Sequence, residues 1–206
     1  MTRLISTSDR FDGERATLRL VTLADCNERY VAWLADPEVN QYLETRFRPQ
    51  PLSAIRDFVS AMLEDPASYL LAIVDRADGA HVGNIKLGPV NPHHSYCDVS
   101  YFIGERDRWG RGLATDAIRT ATRIGFARLA LHRVQAGVYS GNQGSVRALL
   151  KVGYRAEGSL REQLRGRAGW EDHLWYGFLR QDWPNPEEIR DERPTPGEQR
   201  TTSPKS

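Results

Sequence analysis

Apolar residues alternate with polar ones over residues 17–20, while elsewhere they return every three or four positions, so the chain mixes strand and helix signals from its start. After the first strand, Leu23-Ala24-Asp25 opens a predicted helix carrying Tyr30, Val31, Trp33 and Leu34. Asp36-Pro37 ends it, because the residue before a proline is pushed out of the helical region. A second helix is predicted from Ser53, a side chain suited to capping, through Ile55, Phe58, Val59 and Met62 as far as Asp65-Pro66. Residues 69–74 and 81–87, joined by Asp78-Gly79, predict a hairpin that residues 98–103 extend. Ile118, Ala121, Thr122, Gly125, Phe126 and Leu129 mark the buried face of a helix over 116–129. A strand at 132–139 follows, then a helix from about Asn142 closed by Gly153, then strands near 154–159 and 170–179. This order predicts a mixed α/β sheet rather than repeated strand-helix-strand units.

Composition narrows the picture. The 206 residues fit one domain of about 150 residues with tails. The 28 basic and 27 acidic residues leave a net charge of +1, without the broad positive field expected of a nucleic-acid binder. No run approaches the length of a membrane span, and residues 1–14 lack the apolar core of a signal peptide, so these are read as a flexible N-terminus. Cys26 and Cys97 make neither a disulfide framework nor a zinc spacing, which suits a reducing cytoplasm and leaves no metal site. Residues 184–206, rich in proline and charge, read as a disordered tail.

The segment Arg108-Trp109-Gly110-Arg111-Gly112-Leu113-Ala114-Thr115 lies between a strand and a helix. Small residues at a helix start expose backbone N–H groups that favour an anion, and Arg106, Arg108 and Arg111 add positive charge. The turn reads as a phosphate cradle. It is no Walker loop, since no Gly-Lys-Ser or Gly-Lys-Thr exists, and Thr115 stands where a dinucleotide fingerprint wants Gly or Ala.

Five segments in order resemble the GNAT superfamily of acetyl-CoA-dependent N-acetyltransferases, in its RimJ/RimL-like branch. They are Gly83-Asn84-Ile85-Lys86-Leu87, Asp98 to Ile103, Trp109 to Thr115, Asn142-Gln143-Gly144-Ser145, and Lys151-Val152-Gly153-Tyr154 with Glu157-Gly158. Trp109 stands where the superfamily motif commonly has Gln or Arg, a departure usual in this branch. The resemblance implies a GNAT-like domain over residues 15–183. Its α/β fold is a mixed, mostly antiparallel twisted sheet flanked by helices, with two parallel strands splayed at the acetyl-CoA site. It further implies that Arg108 and the amides of Gly110, Arg111, Gly112, Leu113, Ala114 and Thr115 hold the diphosphate, that the backbones of Phe102 and Ile103 meet the pantetheine arm, and that Asn142 binds that arm. The acceptor would be a primary amine: an amino sugar, an aminoglycoside or a protein N-terminal α-amine.

Direct transfer needs a neutral amine and a proton for the departing thiolate. Asp98 stands as the candidate base, the alternative being a salt-bridged strand residue. The superfamily's frequent tyrosine acid is replaced by Leu149, so Ser145 is the candidate acid, with helix capping as its alternative reading. Capping equally explains Asn142. Without the tyrosine, a coenzyme-A-binding module lacking catalysis stays open. Glu171 and Asp172 are candidates for the acceptor side, and Trp33, Tyr42, Tyr69, Trp170, Trp175 and Tyr176 for its lining or for core. His93 and His94 read as loop residues, and Arg161, Arg165 and Arg167 as a solvated hairpin. A strand edge near the C-terminal hairpin offers a possible homodimer contact.

Overall fold

In a computed structural model that describes residues 4–190, the strands are Phe11–Asp12 (β1), Ala16–Leu20 (β2), Tyr69–Asp75 (β3), His81–Leu87 (β4), Tyr96–Ile103 (β5), Arg133–Tyr139 (β6), Arg155–Arg165 (β7) and Trp170–Leu179 (β8). They form one sheet in the order β1-β2-β3-β4-β5-β6-β8-β7. Every neighbouring pair is antiparallel except β5 with β6. The helices are Glu28–Ala35 (α1), Pro37–Asn40 (α2), Leu52–Glu64 (α3), Leu113–Ala127 (α4) and Gln143–Val152 (α5).

Strand side chains point alternately to opposite faces, so each face has its own core. On one face Ile73, Ile85, Val99 and Ala136 pack beneath α4 and α5. On the other, Leu70 and Ala72 meet Tyr30, Trp33, Ile55 and Val59 of α1 and α3. The domain is thus a sheet between two helical layers, the mixed and mostly antiparallel arrangement expected.

Element boundaries move where side chains find other partners. The helix expected from Leu23 begins at Glu28, because Asp25 accepts bonds from the Thr22 amide (2.7 Å) and Arg19 (2.6 and 2.8 Å), closing a separate 3-10 turn. Asn27 caps α1 instead, accepting from the amides of Arg29 and Tyr30. Ser53 is not a cap: α3 starts one residue earlier behind Pro51, whose missing N–H leaves nothing unpaired at a helix entry.

Both termini fold further than their composition suggested. Ile5 is buried, β1 pairs with β2, and the buried Asp116 accepts the amides of Glu14, Arg15 and Ala16 at 3.1, 2.9 and 2.8 Å. At the other end Trp183 stacks on Phe178 and Ile189 is buried beside it, so residues 184–190 of the expected tail belong to the fold. Residues 191–206 of that tail lie outside the described residues.

Candidate active site

Two parallel strands that diverge leave backbone groups without ladder partners, and β5 and β6 do so early. They pair only over Tyr96–Asp98 with Arg133–Gln135. Beyond Asp98 they part, and a cavity of about 710 Å³ opens there, lined by Asp98, Ser100, Tyr101, Phe102, Gly137, Ser145 and His173 among others.

Strand alternation decides which groups face the opening. The Gly88 amide donates to Asp98 O, and the Gly104 amide to Val82 O, so even-numbered residues of β5 turn their backbone toward β4. The Phe102 backbone is therefore committed to β4, contrary to expectation, although the residue still lines the cavity. The Tyr101 backbone and the Ile103 N–H face the gap. The Ile103 carbonyl accepts from the Trp109 indole at 2.9 Å.

The cradle forms where α4 starts. Gly110 and Gly112 have φ of +75° and +82°, a region that disfavours side chains, and Gly112 is the N-cap without a capping side chain. The first bond of the helix runs from the Asp116 amide to Gly112 O, so the amides of Leu113, Ala114 and Thr115 have no helical acceptor. Gly110 to Gly112 are exposed and Arg111 makes no ion pair among the described residues, an arrangement suited to an anion. Leu113 offers its amide only, its side chain being core. Arg108 departs from the cradle: its guanidinium bonds Asp75 at 2.8 Å and Asp78 at 2.6 Å, tying the β3–β4 turn to this loop. Arg106 faces Asp36 at 3.6 Å. The two carboxylates that hold Arg108 stand 33 and 30 positions earlier in the chain, a pairing that local spacing does not reveal.

The two candidate catalytic residues approach the same cavity from opposite faces of the sheet. Asp98 shares the α1–α3 face with Phe102, is half-buried, and accepts from Gln135 Nε2 at 2.8 Å. Ser145 lies in the first turn of α5 on the other face. Its amide donates to Asn142 Oδ1 at 3.1 Å, so Asn142 is a cap, while the Ser145 hydroxyl takes no part in the cap. Tyr101, read at first only as strand, donates its hydroxyl to Ser145 O at 3.4 Å, and burial pushes its pKa up to about 12. Its proton is thus firmly held.

Glu44, Tyr139 and His173 escaped the reading of the sequence. Tyr139 donates to Glu44 Oε1 at 2.5 Å and receives Arg46 at 3.3 Å. His173, opposite Tyr139 in the sheet, places Nδ1 2.6 Å from Gln163 Oε1 and packs on Trp175 at 4.8 Å between ring centres. Burial lowers its pKa, while the charges of Glu44 and Asp98 raise it. All three line the cavity. The only early signal for His173 was its place two residues before Trp175 on one strand.

Glu171 and Asp172 instead hold backbone. Glu171 accepts the Gly141 amide at 2.7 Å, and Asp172 accepts the Glu162 amide at 3.0 Å and the Ser159 hydroxyl at 3.1 Å. Of the aromatic candidates Tyr42 and Trp175 line the cavity, Trp33, Tyr69 and Tyr176 are core, and Trp170 is 59% exposed beneath Arg165. Arg167 pairs with Glu38 at 3.0 Å, and His93 and His94 lie exposed in the turn after Asn91.

A family model described as an acetyltransferase (GNAT) domain matches residues 15–155. The uncharacterized N-acetyltransferase p20 of Bacillus licheniformis is 28% identical over 175 residues, 82% of this chain and 96% of that protein. The fold is similar to Mycobacterium smegmatis RimJ in complex with CoA-disulfide, at a TM-score of 0.75 and 22% identity over 86% of this chain and 90% of that one. It is also similar to spermidine N-acetyltransferase from Vibrio cholerae in complex with CoA and spermine, at a TM-score of 0.74 and 20% identity over 83% and 99%.

Proposed function

The chain belongs to the acetyltransferase (GNAT) family, is an N-acetyltransferase with acetyl-CoA as donor, and from that premise we propose that it transfers the acetyl group directly to a primary amine. The amine is that of a small molecule such as an amino sugar or aminoglycoside, or a protein N-terminal α-amine. One observation carries this reading: the gap between β5 and β6 is reached by Asp98 from one face of the sheet and by Ser145 from the other.

Acetyl-CoA supplies a thioester carbonyl and a thiolate leaving group. In this reading the amides from Gly110 to Thr115, with Arg111, hold the diphosphate, and the Tyr101 backbone pairs with the pantetheine arm, leaving the Ile103 N–H for the thioester carbonyl. The Ile103 N–H, facing the gap, suits a developing oxyanion. Asp98 sets negative charge on the acceptor side, and the Ser145 hydroxyl, which the helix cap does not use, protonates the thiolate from the donor side. An α-amine costs roughly 1 kcal/mol to deprotonate at pH 7 and a lysine-like amine about 4 to 5, so the acceptor decides how much help a base must give.

The test is thiol release from acetyl-CoA across amino sugars, aminoglycosides, polyamines and peptides with free N-termini. Release with at least one amine supports the reading. Binding of acetyl-CoA without release from any of them overturns it in favour of a coenzyme-A-binding sensor. Both cysteines are free and buried, in keeping with a cytoplasmic location, and among the described residues no helix is long and apolar enough to cross a membrane. A homodimer would use β7, the longer of the two edge strands, where charges and two register shifts blunt ladder pairing.

A further inference from the structure

We infer that His173 is the catalytic base of this site, accepting the acceptor amine's proton at Nε2. The argument begins with tautomer. A glutamine side-chain oxygen can only accept, so Gln163 Oε1 2.6 Å from Nδ1 assigns the Nδ1–H tautomer, in which Nε2 carries the lone pair. Position follows from the sheet: His173 stands on the face that also carries Asp98, and its ring lies over the β6 backbone where β5 has already parted from it. A methyl group built on Gly137 would fall 2.1 Å from Nε2, so only glycine there leaves room for the ring over β6 beside the gap.

The surroundings favour a neutral imidazole that can still take a proton. Packing against Trp175 withdraws it from water. Glu44, which opens a 3-10 turn over Glu44–Phe47 and lines the cavity, and Asp98 from β5 stand ready to stabilise the imidazolium, while on β6 Tyr139 is bonded to Glu44 and Arg46. On its own strand Glu171 is bound to the Gly141 amide. Asp98, already accepting from Gln135, thus acts as an electrostatic partner of His173 rather than as the base itself. In the step the neutral amine nitrogen bonds the thioester carbon and the carbon–sulfur bond breaks; the nitrogen gives one proton to Nε2, the Ser145 hydroxyl gives one to the leaving sulfur, and the Nε2 proton then returns through solvent to the Ser145 oxygen. No net proton is gained or lost.

This inference rests on the acetyl-transfer reading, and the experiment separates the two. With the best amine of the panel, His173→Gln should lower kcat by about 10²- to 10⁴-fold while leaving acetyl-CoA affinity within about twofold. Gln163→Glu places a carboxylate on Nδ1–H, and the acid limb of the kcat/KM profile should move up by about 0.5 to 1 pH unit, an effect a merely structural histidine would not produce. Nitrogen-15 spectra of the unmodified chain should show His173 as the Nδ1–H tautomer. A His173→Gln variant within about threefold of the parent kcat, an unmoved acid limb in Gln163→Glu, or an Nε2–H tautomer would each overturn the assignment. If no amine is acetylated, the acetyl-transfer reading fails, and the tautomer spectrum still judges the geometry of His173.

Discussion

At the scale of single residues, the donor side was the more legible. Gly110, Gly112 and the amides that follow are consecutive, and the cradle proposed for them depends on backbone, so the order of small residues is itself the signal. Gly112→Asp should abolish acetyl-CoA binding, because it places a carboxylate in the cradle and forces a side chain into φ of +82°. Calorimetry showing unchanged affinity would remove the cradle from this turn. Ser145 offers a cleaner substitution: the cap uses its amide, not its hydroxyl, so alanine preserves the helix start. Ser145→Ala should lower kcat by at least about tenfold with little change in acetyl-CoA affinity. Parent-level turnover would reduce Ser145 to a framing residue.

At the scale of elements, patterning predicted which segments are strand or helix, and failed where a side chain answers to something distant. The choice between Phe102 and Ile103 is one such case. Both are apolar and adjacent, and only the register with β4 decides that Phe102 turns its backbone away from the gap. Asp116 is another. As an acidic residue in a first helical turn it looks like a response to the helix dipole, yet it is buried and gathers three amides from residues about a hundred positions earlier. It fastens the N-terminal segment to α4, immediately behind the cradle. Asp116→Ala should cost about 2 to 4 kcal/mol by leaving those amides without their acceptor. Urea unfolding reads it, and a change under about 0.5 kcal/mol would show that water replaces the carboxylate.

At the scale of the whole molecule, the face proposed for the acceptor is assembled from Glu44, Asp98, Tyr139 and His173, positions so far apart that no local pattern joins them; only the assembled fold does. That face depends on the layer of α1 and α3 staying seated on the sheet, and a polar tie crosses the boundary. Asp25, in the turn before α1, takes Arg19 of β2 at 2.6 and 2.8 Å and approaches His81 of β4 at 3.7 Å. Burial alone would raise the Asp25 pKa, but the Arg19 and Thr22 bonds outweigh it and hold it at about 2. A carboxylate whose folded pKa lies below its unfolded value binds fewer protons when folded, so its stabilisation is complete above about pH 4 and fades as the pH falls toward 2. Burial lowers the pKa of His81, which makes the fold favour its neutral form and adds a loss of stability that begins below the ordinary histidine range, about pH 6.5. The parent should therefore exceed Asp25→Asn in stability at pH 7 by on the order of 1 kcal/mol, after discounting for solvent around Arg19. Denaturant unfolding at stepped pH should show that difference steady from pH 7 to about 5 and closing between about 4 and 2. A difference that persists undiminished at pH 2 would mean that Asp25 acts through shape rather than charge.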